Sequence, residues 1–524
     1  MRRFLTTTAL FAAVALGAAG ADAKSLNWSF SSDVLTMDPF AHNNTFTQAF
    51  TNNIYEGLTR HNQKLEIEPA LAESWSLVNP SVWRFKLRQG VKYHNGNVFD
   101  ADDVVFSWER AQTPGALILG NISQIKDIRK VDASTVEIET KGPFPLLLSA
   151  LTGFYIMDKE WAVANDAVAS SNLQEKKENF ANRNTNGTGP FKMRSREVDV
   201  KTVLEANAAW WDKPQHNLTE VTFTPIASAA TRTSALLSGA IDATVAIPLQ
   251  DIARVSADPK LQVLQGPELR TIYLGFDHFR DELLYSSVKG KNPFKDRRVR
   301  EAFYRAIDVE AIKRSVMRGQ SWPAGMMASP FLTGAPADLN DRLPYDQAKA
   351  KQLLTEAGYP DGFTVALSCP NDRYVYDEQI CLAVISMLAR VGVKVESQIE
   401  PVAKWGQRLN GMDLSFFMVG HAGLPAADTF ATLAEVIAAR GPGLGGLNAG
   451  RYDNPKINAL IQQIAQESDE PKRRALIREA LKLEKDDVAH IPLHQQPIVW
   501  AAKKGIDMQP APDNRLRLWY VKVN

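Results

Sequence analysis

Few residues in this chain are spaced for chemistry. His490 and His494 stand at the i, i+4 spacing of a helical metal pair, but Ile491-Pro492-Leu493 between them reads as an extended segment, which splays the two rings. No metal site is expected there or elsewhere. Gly441-Pro442-Gly443-Leu444-Gly445-Gly446 satisfies G-x-G-x-x-G, yet it follows a helical pattern rather than a strand, so the dinucleotide context fails and a loop is expected. No G-x-S-x-G elbow, H-E-x-x-H pair or C-x-x-C is present, and nothing among the 59 Asp and Glu residues singles out an acid/base pair. The two cysteines, Cys369 and Cys381, can close a short loop as one disulfide or stand as two buried thiols. The disulfide is favoured, because Cys369 ends an apolar run and Cys381 opens the first turns of a helix, which brings both near one loop. The charge run Lys295 to Arg300 continues into a pattern that places Val299, Phe303, Ala306 and Ile307 on one helical face, so its charges are expected on the solvated side.

The elements around these residues alternate in type. Period-two patterning predicts strands at Val82 to Leu87, Thr135 to Glu139 and Val221 to Thr224. Asp346 and Asp377 are positioned to cap helices with apolar stripes at Ala350, Leu353, Leu354 and at Ile380, Val384, Leu388, while Asn454-Pro455 opens a third. Asp100, with Asp103 three positions on, can form a capping box. The order strand at Phe363 to Leu367, helix from Asp377, strand at Val393 to Val395 is a βαβ unit and makes the fold class α/β.

Composition narrows the function classes. The 524 residues carry 60 Lys and Arg against 59 Asp and Glu, with 45% hydrophobic and 23% charged residues, an ordinary globular mixture long enough for several domains. A net charge of +1 provides no field for nucleic acid or an anionic membrane. Arg2 and Arg3, the apolar stretch Phe4 to Leu16 and the Ala21-Asp22-Ala23 site read as a signal peptide spanning residues 1–23, cut after Ala23. The stretch is too short for a membrane anchor, and no later segment does better. Release into a periplasm is expected, as a protein that is not membrane-embedded.

Trp83-Arg84-Phe85-Lys86-Leu87-Arg88-Gln89-Gly90-Val91-Lys92-Tyr93-His94-Asn95-Gly96, followed by Phe99-Asp100-Ala101-Asp102-Asp103-Val104-Val105-Phe106-Ser107, resembles the hallmark stretch of the family 5 extracellular solute-binding proteins. These are the dipeptide, oligopeptide and nickel receptors of ABC importers. Further matches run in the family's order, among them Asp38-Pro39, Tyr55-Glu56-Gly57-Leu58, Gly187-Thr188-Gly189-Pro190-Phe191, Leu237-Ser238-Gly239-Ala240-Ile241-Asp242 and Tyr452-Asp453-Asn454-Pro455.

The resemblance implies the periplasmic-binding-protein fold of the large three-lobed type, two hinged α/β lobes plus an accessory lobe. Lobe I is expected at 24–56, 187–277 and 495–524, the accessory lobe II at 57–186, and lobe III at 278–494. A peptide or peptide-like organic solute is expected in the I–III cleft, captured by closure of a monomer and delivered to the permease and ATPase subunits of an ABC importer, without cofactor or covalent chemistry. In peptide-binding relatives an aspartate after a Gly-Trp pair holds the ligand's ammonium group. Here His421 replaces the tryptophan and Leu424 stands at the aspartate position, so an ammonium anchor of the usual kind is not expected. Asp428 caps a helix or, if the loop is rebuilt, substitutes. Arg373 and Tyr374 occupy the loop that holds a carboxylate in dipeptide-type relatives, with a salt bridge from Arg373 to Asp372 or Asp377 as the alternative. Trp405, His421, Arg451 and Tyr452 lie on segments that line the cleft in relatives, each with a packing alternative. Two other readings remain at this stage: a periplasmic hydrolase with an unrecognised carboxylate pair, and a receptor for a non-peptide ligand, whether opine-like, carboxylated, a sugar or a metal chelate.

Overall fold

A computed structural model describes residues 24–42, 44–118 and 122–524. The expected signal peptide lies outside the described residues. The period-two segments are strands, Val82–Leu87, Thr135–Thr140 and Glu220–Pro225. In the first, Phe85 and Leu87 are buried while Arg84 and Lys86 face solvent, the alternation that fixes register. This strand sits inside a four-stranded antiparallel sheet with Ala72–Asn79, Thr135–Thr140 and Ile125–Asp132. Helix Ala101–Ala111 covers it with Val104, Trp108 and Ala111, and its amino end is closed by the Asp100/Asp103 capping box.

Eleven further strands form one sheet with two halves, and two small two-stranded sheets, Thr59–His61 with Ile67–Pro69 and Ile506–Asp507 with Lys522–Val523, lie outside it. In the first half, Ser25–Phe30 lies parallel to both Glu220–Pro225 and Ala243–Val245, and Lys201–Ala206 and Phe191–Glu197 extend it. In the second, Thr364–Pro370 lies parallel to Lys394–Glu400 and Phe416–His421, with helix Asp377–Ala389 between the first two in sequence. Two long antiparallel strands, Leu261–Phe276 and His490–Lys503, belong to both halves. Residues 500–502 pair with the first half and residues 271–276 with the second. Their mutual register shifts between Pro267 and Thr271 and again between Ile272 and Tyr273, so the chain changes halves within these strands.

Two local expectations need correction. Helix Asp377–Ala389 is not capped by Asp377: Tyr376 holds the N-cap position, and the Asp377 carboxylate turns back to accept from the backbone N–H groups of Arg373 and Tyr374 at 2.9 and 3.0 Å. The charges of Lys295 to Arg300 are not all solvated. Arg300, on helix Arg297–Ala306, is 3% exposed and donates to the carbonyls of Val488 and Phe294 and to Asp487, tying the helix to the end of Glu470–Asp487. Its donors are shared among the Val488 and Asp487 carbonyls left free at the neighbouring helix end, the Phe294 and Lys295 carbonyls before its own helix, and the Asp487 carboxylate.

His490 and His494 lie on an extended strand. The first pairs through Nδ1 with Glu484 at 2.8 Å, and the second is wholly buried with neither ring nitrogen bonded. Among the described residues no cluster of three His, Cys, Asp or Glu is placed to hold a metal ion, and no helix is long and apolar enough to cross a membrane.

The four-stranded unit is bolted to the first half-sheet by a buried ion pair. Arg110 donates through Nη1 and Nη2 to the two oxygens of Asp38 at 2.8 and 2.7 Å, and both side chains are 0% exposed. Asp38 also accepts from the backbone of Phe40 and Ser171, and Arg110 also donates to the carbonyls of Ala167 and Ala169. Burial alone raises the Asp38 pKa, but Arg110 and the backbone donors outweigh it and hold the carboxyl below the usual aspartate range. Asp38→Asn strands a buried guanidinium and should cost about 3–5 kcal/mol of unfolding free energy in urea titration at pH 7. Because the native carboxyl is the stronger acid, the wild-type advantage is complete above the unfolded aspartate value of about 4 and should shrink as the pH falls below it.

Candidate ligand-binding cleft

The break in register opens a cavity of about 350 Å³ between the two half-sheets. One wall is aromatic. Trp28 and Phe30 leave strand Ser25–Phe30, and Phe46 and Phe50 leave the same face of helix Thr45–Thr51, which Asn44 caps by accepting from the N–H of Thr47. Phe30 and Phe46 stack at 4.2 Å and Trp28 lies 6.1 Å from Phe46, a rigid apolar surface suited to a ring or aliphatic chain. The indole N–H of Trp28 finds no acceptor among the described residues.

The floor comes from the crossing strand and the chain's last turns. Glu268 and Arg270 face the cavity, as do Asp513 and Asn514, while Leu269 between them is buried on the other side and donates its N–H to the carbonyl of Pro512. Asp513 is already committed, forming two hydrogen bonds with Arg517 at 2.7 and 3.0 Å. Burial would raise its pKa, but Arg517 and then Arg515 pull it below the ordinary range. Glu268 accepts from Gln496 at 2.7 Å, and there burial dominates, pushing its carboxyl above the ordinary glutamate range against the pull of Arg270. Gln496 also accepts from the N–H of Val375, so one side chain joins the floor to the loop of the opposite wall.

That wall carries Arg373 and Leu424. The Arg373 backbone is fixed by Asp377, but its guanidinium makes no hydrogen bond or ion pair among the described residues, and neither Asp372 nor Asp377 takes it. Tyr374 lies under it, 5.8 Å from ring centroid to guanidinium carbon, and is backed edge-to-face by Trp405 at 6.4 Å. Cys369 is disulfide-bonded to Cys381 across a Cα separation of 6.7 Å, closing the loop that presents Arg373.

The other expected cleft residues are placed elsewhere. Trp405 is 5% exposed in a core with Leu409 and Leu414. His421 lies behind the wall with Nε2 3.0 Å from Glu435 and Nδ1 3.3 Å from the Thr432 hydroxyl. Arg451 and Tyr452 lie at the far end of strand Leu261–Phe276: Arg451 pairs with Asp277 and covers Phe279, while Tyr452 packs against His278 and His490. These contacts are the packing alternative for both residues, and neither lines the cavity. Asp428 caps helix Thr429–Thr432 and is locked by Arg473 at 2.8 and 3.0 Å. A second cavity, about 410 Å³ between Pro143 to Leu146 and Phe430, Leu444 and Ile461, includes Arg473 as a charged group already spent on Asp428.

Sequence reading missed the aromatic wall and the floor. Trp28, Phe30, Phe46 and Phe50 carried a signal, alternation followed by an i, i+4 pair, but one indistinguishable from core patterning. Glu268, Arg270 and Asp513 carried none.

Two half-sheets joined by crossing strands, with a walled cavity at the crossing, are the architecture of the periplasmic-binding-protein fold. The chain belongs to the bacterial extracellular solute-binding proteins, family 5, whose middle region matches residues 66–434. It is 25% identical over 512 residues to the glutathione-binding protein GsiB of Shigella flexneri, covering 95% of this chain and 93% of that one. It is 26% identical over 479 residues to heme-binding protein A of Haemophilus influenzae, covering 86% and 83%. Among solved structures, HbpA2 from Haemophilus parasuis superposes with a TM-score of 0.83 at 23% identity, covering 96% of this chain and all of that one.

The disulfide should matter to stability beyond its own atoms. Closing a loop of this length is worth about 3 kcal/mol in the chain-entropy model. The double variant Cys369→Ala/Cys381→Ala should lose that much in denaturant titration. An unchanged midpoint would show that the loop is held by Asp377 and packing alone.

Proposed function

We propose that this chain is the periplasmic receptor of an ABC importer that captures a peptide-like, acidic organic solute by closing its two half-sheets over the cavity, and that a membrane permease reads the closed form. The observation that carries this reading is the exposed Arg373 guanidinium, which lines the cavity opposite its aromatic wall and makes no hydrogen bond or ion pair among the described residues. A guanidinium fork fits a carboxylate. The proposed lobes are those expected from the resemblance, 24–56, 187–277 and 495–524 for lobe I, 57–186 for lobe II and 278–494 for lobe III, and the register shift between Pro267 and Thr271 near the first boundary supports a change of lobe in this strand. Glutathione and heme, for which two relatives are named, both carry carboxylates.

Leu424 presents an apolar surface where an ammonium anchor stands in peptide-binding relatives, so ordinary dipeptides are poor candidates. Capture requires no bond to be made or broken; the relatives reported above are named as binding proteins.

Native mass spectrometry of protein released from the periplasm should reveal a retained, chemically unmodified acidic compound. In calorimetric titration of that compound, Arg373→Ala should weaken binding by roughly tenfold or more, about 1.4 kcal/mol. Submicromolar binding of unmodified dipeptides, or indifference to Arg373→Ala, would remove the basis for this assignment.

A further inference from the structure

The next step rests on the cavity being the ligand site. Glu268 and Arg270 stand two positions apart on an extended strand, so both side chains leave the same face, here at the point where the strand changes halves. Arg270 has five N–H donors and few partners for them. Nη1 reaches the Gly420 carbonyl at 3.3 Å, and Nε lies 3.6 Å from Glu268, an ion-pair contact too long for a hydrogen bond. Its guanidinium carbon is 6.0 Å from the centroid of the Tyr374 ring, and that of Arg373 is 5.8 Å from the same centroid. One ring thus positions two under-used guanidinium groups, one from the crossing strand and one from the loop of the second half-sheet. Of the two carboxylates in the cavity, Asp513 is spent on Arg517, and only Glu268 stands near Arg270.

We propose that Arg270 is a second anion anchor, and that the cavity selects an organic diacid with an apolar or ring-bearing body, one acidic group held by Arg373 and the other by Arg270. The body lies against Trp28, Phe30 and Phe46. Glu268 is the internal anion with which the second acidic group competes. A ligand held at both ends joins the crossing strand to the opposite wall, which a monoacid held by Arg373 alone does not do.

Three probes on one skeleton separate the contributions: N-succinyl-L-phenylalanine with two carboxylates, N-acetyl-L-phenylalanine with one, and N-acetyl-L-phenylalanine amide with none. Calorimetry on the full chain should show the diacid binding roughly tenfold more tightly than the monoacid, and the amide weakest. Arg270→Gln should erase most of the diacid's advantage. Glu268→Gln should tighten the diacid, a change of sign that structural damage does not produce, and thermal melts check that both variants are folded. Equal affinities for diacid and monoacid, a diacid advantage that survives Arg270→Gln, or no binding by any probe overturns the proposal. A retained native ligand with fewer than two acidic groups, still dependent on Arg373, overturns it too while leaving solute capture intact.

Discussion

The pairing of two long strands, Leu261–Phe276 and His490–Lys503, is the constraint on which the rest depends. Each serves both half-sheets, and their ladder cannot run unbroken through the change. Where it breaks, backbone and side-chain groups must find other partners. The N–H of Leu269 takes the Pro512 carbonyl, Gln495 takes the Thr271 hydroxyl, and Gln496 takes Glu268 and the N–H of Val375. Those substitute bonds draw the 511–516 segment and the Arg373 loop to the same place. The cavity is therefore a by-product of satisfying a broken ladder.

Several buried charges in this protein are paired with one another or saturated by carbonyls. Asp38 with Arg110, Asp428 with Arg473 and Asp513 with Arg517 are buried bidentate pairs, and Arg300 is saturated by carbonyls and Asp487. Such pairs cost desolvation, which good geometry and added hydrogen bonds offset. Arg110 places Nε, Nη1 and Nη2 on acceptors, whereas Arg473 and Arg517 each keep a buried Nε without one. They fix how units meet: Arg110 joins the four-stranded unit to the first half-sheet, and Arg517 pins the segment under the cavity. Arg373 differs in kind, being exposed, and its place in the cavity beside Arg270 is the basis of the proposed anion site.

Much of the fold was legible because its elements advertise themselves locally. The alternation at Val82–Leu87, the capping box at Asp100 and the Asn454-Pro455 start each depend on residues within a few positions of one another. The wall residues Arg373 and Leu424 were legible only through resemblance. The floor was not legible, because Glu268 and Arg270 face the cavity only as a result of a register break set by pairing with a strand more than 200 residues away. The contacts of Arg451 and Tyr452 were not legible either, since Asp277, His278 and His490 are remote from them in sequence. Asp377 looked like a cap from its spacing, yet its carboxylate serves the loop before it.

The cavity also has an order in time. Its surface is drawn from residues 28–50, 268–270, 373, 424 and 513–516. The aromatic wall is synthesised first, then the crossing segment and the Arg373 loop, and later the strand that pairs with the crossing segment and the Asp513 to Leu516 turn beneath it. No nascent segment shorter than this span brings the walls and floor together. The cavity is thus a product of long-range pairing, and a fragment that lacks either end of the span cannot rebuild it.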